Sequence, residues 1–75
     1  VRMRNLSQIQ LQETSIIEDV IEHPLKTKLL EMGFRKGKTV KLIKTAPFGD
    51  PIIVELSGYK LIIRKEEAKL IKLAS

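Results

Sequence analysis

Two short apolar runs around a two-residue turn constrain the fold of this chain more than any other sequence feature. Residues 52–56 and 59–63 are rich in aliphatic side chains, and Ser57-Gly58 lies between them. A two-residue loop sets the register of an antiparallel hairpin. The predicted inner-face pairs are Leu56 with Tyr59, Val54 with Leu61, and Ile52 with Ile63. We therefore expect this face, Tyr59 included, to form part of an apolar core.

The same register defines the outer face of the hairpin. It places Glu55 opposite Lys60, a pair of opposite charges that stabilises the two strands slightly. It also places Ile53 opposite Ile62, so two isoleucines face away from the predicted core. Either another part of the fold covers these two side chains or a binding partner does. The pair also makes self-association possible.

The segments before the hairpin predict one short helix and one strand. Residues 24–32 are predicted to be helical, because Pro24 suits a first helical position and Gly33 suits the left-handed residue after a helix. Residues 39–45 are predicted to form a strand with Val40 and Leu42 on one side and Lys41 on the other. Residues 46–51 contain two prolines and a glycine, which predicts a loop.

The two ends of the chain are less regular. Leu6, Ile9 and Leu11 are predicted core contacts of an opening segment. Residues 15–22 carry apolar side chains at helical spacing, yet these are β-branched residues that favour strands, so the pattern leaves both open. Residues 64–67 are predicted to form a polar turn and residues 71–73 a closing strand.

Length and composition set the class of protein. The 75 residues allow one domain, covering 1–75, with 43% apolar and 31% charged residues. Such a chain buries too little apolar surface to spare a deep cavity, which favours a role in surface binding. There is no cysteine, which excludes disulfides and fits a reducing compartment. No apolar run is long enough to span a membrane, and we expect no signal peptide.

A large part of the chain resembles a known family. The matching residues begin with Leu29-Leu30-Glu31-Met32-Gly33-Phe34, Gly37 and Val40, continue through Ala46-Pro47-Phe48-Gly49-Asp50-Pro51-Ile52, and end with Gly58-Tyr59, Leu61, Ile63-Arg64, Glu67-Ala68 and Ile71. In order and spacing they resemble FeoA, ferrous iron transport protein A. The resemblance implies an all-β fold, a small SH3-like antiparallel β-barrel with one short α-helix. It also implies that residues 15–22 form a strand.

The resemblance further implies a function. FeoA-like proteins are cytoplasmic accessories of FeoB, a membrane transporter of ferrous iron with a cytosolic GTPase domain. Similar domains end the metal-dependent repressors of the DtxR type, but this chain has no room for their DNA-binding helices. We expect a stand-alone accessory that docks on a FeoB-like transporter and modulates it. A metal-responsive FeoA-like domain is an alternative.

Catalysis and metal binding have little support in the sequence. The chain has no cysteine and a single histidine, His23, so no nucleophile has a partner base. Glu18, Asp19, Glu22 and His23 are near each other, but their spacing specifies no coordination geometry. We therefore expect no enzyme activity, no cofactor and no metal site.

Partner binding has the best candidates. Pro47 stiffens the loop of residues 46–51, and Phe48 lies at its predicted tip, where it either meets a partner or folds back on the barrel. Arg35, Lys36 and Lys38 could attract an acidic protein surface. The net charge of +5 also permits nucleic-acid binding, the rival hypothesis, although only 4% of residues are aromatic and single strands need exposed rings. The predicted partner surface is Arg35, Lys36, Lys38, Pro47, Phe48, Ile53 and Ile62.

Overall fold

The computed structural model describes residues 4–74, which form five strands and three short helical segments. A 3-10 turn, Leu6–Gln8, precedes β1, Thr14–Val20, and α1, Lys26–Glu31. The remaining elements are β2, Thr39–Thr45; β3, Ile52–Leu56; β4, Tyr59–Ile63; α2, Lys65–Ala68; and β5, Ile71–Leu73. Residues 1–3 and 75 of the predicted domain lie outside the described part. No helix within residues 4–74 is long and apolar enough to cross a membrane.

The strands form one antiparallel sheet in the order β4-β3-β2-β1-β5. The chain covers one edge of this sheet itself, because the Leu73 amide donates to the Arg4 carbonyl oxygen at 2.8 Å and Asn5 pairs with Lys72. At the other edge, β4 pairs only with β3 among the described strands. The two edges of the sheet are therefore different.

A single apolar cluster fills the inner side of the sheet. It includes buried side chains from all five strands, so the sheet curls until its outermost strands share one core. Leu6, Leu29, Phe34 and Ala68 close this core from the segments between strands. The predicted all-β architecture is confirmed.

The hairpin has the predicted register, but the predicted burial of Tyr59 is wrong. All five predicted β3–β4 pairs are present, from Leu56 with Tyr59 to Ile52 with Ile63. Tyr59 was expected in the core but is 73% exposed, whereas Leu56 opposite it is buried. Tyr59 begins an edge strand beside the turn, where no neighbouring strand or helix covers it. Burial of β4 is complete only at Ile63.

The ambiguous segment is the strand that the family resemblance implied. β1 pairs with β2 on one side and β5 on the other, and these backbone partners outweigh the helical spacing of its side chains. The helix after it starts later than predicted, at Lys26 instead of Pro24. The His23 side chain accepts the Leu25 amide at 3.0 Å, which holds Pro24 in a turn before the helix.

Two further predictions were wrong in detail. Leu6 and Ile9 are buried as predicted, but Leu11 is 61% exposed because it lies in a turn after them. The predicted polar turn is the helix α2. Glu67 stabilises it by accepting the Arg64 amide at 3.1 Å and the Lys28 ammonium at 2.8 Å. These contacts, Lys28 first, lower the pKa of Glu67.

Gly33 ends α1 in the predicted left-handed conformation, with φ of 107°. The Phe34 amide donates to the Leu29 carbonyl oxygen and the Gly33 amide to the Leu30 carbonyl oxygen, which together form a Schellman motif. A β-carbon at residue 33 would lie 3.3 Å from Cδ2 of buried Leu56. Any side chain at residue 33 is therefore disfavoured for two reasons: the backbone has a positive φ, and Leu56 leaves too little space for a β-carbon.

We expect Gly33→Ala to lower the free energy of unfolding by more than about 1 kcal/mol, because alanine resists positive φ and crowds Leu56. Urea titration monitored by circular dichroism would measure it. Gly37→Ala is the matched control, since its φ is 90° but no atom beyond its two chain neighbours lies within 4 Å of the added carbon. A Gly33→Ala loss no larger than that of Gly37→Ala would exclude a steric contribution from Leu56.

Arg4 and Glu13 form a two-pronged ion pair that joins the opening segment to β1. Arg4 Nη1 donates to Glu13 Oε1 at 3.0 Å, and Nη2 contacts Oε2. The Gln10 amide donates to the same carboxylate at 2.9 Å. The Arg4 hydrogen bonds, followed by that from Gln10, lower the pKa of Glu13 to about 2.

This lowered pKa predicts acid sensitivity. A carboxyl group whose pKa is lower in the folded state stabilises the fold above its unfolded pKa, here about 4.5. That stabilisation is lost as the pH falls from about 4.5 to about 2. The Tm of Glu13→Gln should therefore lie below that of the wild type near neutral pH, and the difference should shrink across this range. A difference that stays constant down to about pH 2 would contradict the assignment.

Candidate docking site

The loop between β2 and β3 is held at three points. The Ala46 amide donates to the Pro51 carbonyl oxygen at 3.0 Å, and the Gly49 amide donates to the Ala46 carbonyl oxygen at 2.7 Å. Asp50 Oδ1 accepts the Lys65 amide at 2.9 Å, which attaches the loop to the start of α2. The loop therefore presents its tip in a defined position.

Phe48 lies at this tip and is 99% exposed. The alternative in which Phe48 folds back on the end of the barrel is therefore wrong for this structure. The other phenylalanine, Phe34, is completely buried in the core. A fully exposed phenylalanine on a hydrogen-bonded loop is an apolar contact available to a partner, and the loop needs little further ordering on binding.

The outer face of the hairpin continues from this loop. The register places Lys44, Ile53 and Ile62 side by side across β2, β3 and β4. Ile53 is partly buried because it lies on the middle strand of these three. Ile62 is 67% exposed, so no part of the described fold covers it. We call Pro47, Phe48, Ile53 and Ile62 the apolar end.

Lys44 is a member of this row that the sequence did not reveal. Strict alternation from Val40 and Leu42 would turn Lys44 toward the core. The register shifts between Leu42 and Lys44, and this irregularity moves Lys44 to the outer face opposite Ile53. A lysine that strict alternation places on the same side as Val40 and Leu42 was the available signal for the bulge.

The predicted basic residues lie at the other end of the sheet. Arg35, Lys36 and Lys38 are exposed between α1 and β2, whereas Phe48 lies three residues after the end of β2. The seven residues of β2 separate these ends by about 20 Å at about 3.3 Å per residue. The structure thus divides the predicted partner surface in two.

The basic residues also have local contacts. Arg35 Nε donates to the Leu30 carbonyl oxygen at 3.2 Å, beside the end of α1. Lys36 Nζ lies 3.8 Å from Glu18 Oε2, at the limit of an ion pair. Lys38 has an exposed side chain, and its carbonyl oxygen accepts the Ile17 amide at 2.8 Å. These residues form a solvated positive surface.

The acidic residues near His23 do not converge. Glu18 faces Lys36, Asp19 Oδ1 accepts the Val20 amide at 2.8 Å, and His23 Nδ1 accepts the Leu25 amide. Glu22 is exposed beside Lys26, with 3.3 Å between Oε1 and Nζ. Within residues 4–74 no three histidine or carboxylate side chains are grouped to hold a metal ion.

We accordingly expect any binding of ferrous ion here to be weak. Anaerobic calorimetry should show no tight one-to-one isotherm, because no three histidine or carboxylate side chains within residues 4–74 are grouped to replace the water around the ion. His23→Ala should leave the titration unchanged. A tight isotherm that His23→Ala abolishes would overturn this prediction.

The chain matches known proteins over most of its length. A sequence model of the FeoA domain matches residues 4–74. A Fe(2+) transport protein A/Fe(2+) transporter FeoB fusion protein of Porphyromonas gingivalis is 36% identical over 47 residues, which are 63% of this chain and 6% of the fusion protein. A putative Fe(2+) transport protein A of Campylobacter jejuni is 35% identical over 68 residues, which cover 89% of this chain and 92% of that protein.

Solved structures show the same fold. An FeoA-like protein of Clostridium acetobutylicum has a TM-score of 0.90 at 28% identity, covering 97% of this chain and 86% of that one. Stenotrophomonas maltophilia FeoA, described as an SH3 domain protein and solved with zinc, has a TM-score of 0.81 at 27% identity, covering 97% and 89%. The SH3-like fold that the sequence resemblance implied is confirmed.

Proposed function

Because this chain belongs to the FeoA family, we propose that it is a non-catalytic accessory of ferrous iron uptake that acts in the cytoplasm. In this proposal it docks on the cytosolic part of a FeoB-like transporter and modulates transport. The Porphyromonas gingivalis relative joins a similar segment to a transporter in one polypeptide. Fusion keeps two partners at high effective concentration, so a separate chain needs a binding surface in its place.

The exposure of Phe48 carries the proposal. Burying a phenylalanine side chain contributes about 1.5–3 kcal/mol to binding, and loop ordering takes little of it away where the loop is already held. Ile53 and Ile62 pair at the end of the hairpin to which this loop leads, and they add apolar surface on the outer face of the sheet. The apolar end is therefore the proposed contact surface.

The basic residues have a separate role in this proposal. Arg35, Lys36 and Lys38 lie about 20 Å along the sheet from Phe48, so one small contact does not include both groups. Exposed charges outside the contact mainly influence the rate of association, and salt screens this influence, since the Debye length is about 10 Å at about 0.1 M salt. We assign these residues to steering toward an acidic partner.

Co-purification with the transporter from a membrane extract, with and without guanine nucleotide, tests the proposal. The wild type should be retained by the full-length membrane protein. Reversing the charges of Arg35 and Lys36 together should slow association at low salt and have little effect at high salt. Failure to bind any form of the transporter in either nucleotide state would remove the proposed function.

Nucleic acid remains the rival partner, and the exposed Tyr59 adds a ring that the sequence interpretation had placed inside. Phe48 and Tyr59 lie at opposite ends of β3, however, so they do not form one stacking platform. We propose that oligonucleotide binding is weak and non-specific. Tight binding to a single strand with a steep salt dependence would favour the rival.

A further inference from the structure

We propose that the open edge of β4 accepts an extended segment of an acidic partner as an additional antiparallel strand. This inference rests on the proposed function, because it specifies how the transporter or another acidic protein is held beside the apolar end. It begins with the two sheet edges. Residues 4–5 cover β5, whereas no described strand pairs with the outer side of β4.

The hairpin register identifies the backbone groups on that edge. In an antiparallel hairpin with a two-residue loop, the residues flanking the loop exchange hydrogen bonds, and such pairs then alternate. Tyr59, Leu61 and Ile63 therefore direct their amides and carbonyls toward β3. Lys60 and Ile62 direct theirs outward, where residues 4–74 supply no partner strand.

The outer face of the sheet specifies the chemistry of the incoming strand. One row of side chains consists of Lys41 on β2, Glu55 on β3 and Lys60 on β4. This row ends with a positive charge at the open edge of the sheet. Glu55 lies between two lysines, and Lys60 is exposed without an ion pair within 4 Å among the described residues. An acidic residue beside Lys60 would continue the alternation of charge.

The neighbouring row ends on an apolar side chain. This row consists of Lys44 on β2, Ile53 on β3 and Ile62 on β4, and the Ile62 side chain is 67% exposed at the edge. A guest residue beside Ile62 would bury apolar surface if it were aliphatic or aromatic. An antiparallel guest therefore places an apolar residue two positions before an acidic one, with both side chains on the outer face. This pattern of residue types can be searched for in the sequence of a partner.

A second copy of this chain does not fit the edge. Pairing about Leu61 would place Lys60 opposite Ile62 of the other copy and break both rows. Pairing about Lys60 would bring two lysines together, and pairing about Ile62 would place Lys60 opposite Arg64. With a net charge of +5 on each copy as well, the edge favours an acidic occupant over itself.

Amide hydrogen exchange measured by NMR on the full chain tests the proposal. The probes are a FeoB-like cytosolic domain and a designed peptide with the sequence Thr-Val-Thr-Glu-Thr. In this peptide the apolar valine comes two positions before the acidic glutamate. Either probe should slow exchange of the Lys60 and Ile62 amides, which face the edge. Replacing the glutamate of the peptide by lysine should abolish the effect.

Paired variants separate backbone pairing from side-chain contact. Ile62→Ala and Ile62→Pro both remove the isoleucine side chain, but only proline removes the outward amide, a change that an edge strand tolerates. Ile62→Pro should bind about tenfold more weakly than Ile62→Ala, with the fold verified by its NMR spectrum. Lys60→Glu should also weaken binding, whereas Lys69→Glu, the same change immediately after α2, should not.

Each outcome decides between proposals. If the transporter domain binds while the two amides exchange freely, strand addition is wrong and the proposed function stands. If neither that domain nor the full-length transporter binds in either nucleotide state, the proposed function fails. The peptide alone then decides on the edge: protection supports strand addition and no protection overturns it. Protection that appears without a probe and rises with protein concentration would identify a second copy as the occupant and overturn the proposal.

Discussion

Phe48→Ala should weaken binding to the transporter by about ten- to a hundredfold and leave the stability of the domain unchanged. The lost contact corresponds to burial of one aromatic side chain, about 1.5–3 kcal/mol, and each 1.4 kcal/mol is a factor of about ten in Kd. Stability should change by less than about 0.5 kcal/mol, because Phe48 is 99% exposed in the free protein. Calorimetry with the cytosolic domain and thermal unfolding measure the two effects.

Ile16→Ala provides the control for Phe48→Ala. Ile16 is 48% exposed on β1 and pairs with Thr39, at the end of the sheet away from Phe48. The Ile16→Ala substitution removes an exposed apolar side chain that lies outside the apolar end, so binding should be retained. Equal losses in both variants would point to a general effect of surface hydrophobicity. Wild-type affinity of Phe48→Ala would remove Phe48 from the interface.

Phe34→Ala should have the opposite outcome, with a large loss of stability. Phe34 is completely buried, and truncating a buried phenylalanine costs about 3–5 kcal/mol through lost burial and the cavity left behind. A domain of this size has a total free energy of unfolding of only about 5–10 kcal/mol. The Tm should fall by about 12 °C or more.

Phe34→Leu separates cavity size from the loss of the aromatic ring. Leucine keeps the apolar character and much of the volume, so its cost should be less than half that of alanine. Urea unfolding of the two variants and the wild type measures these differences. A Phe34→Ala protein as stable as the wild type would show that Phe34 is not an essential part of the core. Phe48→Ala, measured in parallel, should unfold with the wild type.

Local sequence was sufficient for the features that depend on near neighbours. Ser57-Gly58 determined the register of β3 and β4, because a two-residue turn leaves the strands one way to pair. Gly33 marked the end of α1, since only glycine adopts its φ readily. Residues 15–22 were not decided this way. The spacing of their side chains fits a helix and their residue types fit a strand. The family resemblance implied a strand, and backbone pairing with β2 and β5 holds the segment in that conformation.

The candidate site shows where local sequence was insufficient. Phe34 and Phe48 have the same side chain, and alternation or composition does not distinguish the buried one from the exposed one. Tyr59 was assigned to the core by a correct register, but register defines a face and does not show whether anything covers that face. The bulge that exposes Lys44 depends on its pairing with β3.

The sequence by itself determined the β3–β4 register, the end of the helix and the set of basic and apolar candidates, because these depend on turns, periodicity and residue type. The class of fold followed from the family resemblance. Only the tertiary structure decided which candidates are exposed together. It separated Phe48 from the basic residues by the length of β2, and it covered the β5 edge while leaving β4 open. Exposure and proximity result from contacts between segments distant in sequence, which no local pattern encodes.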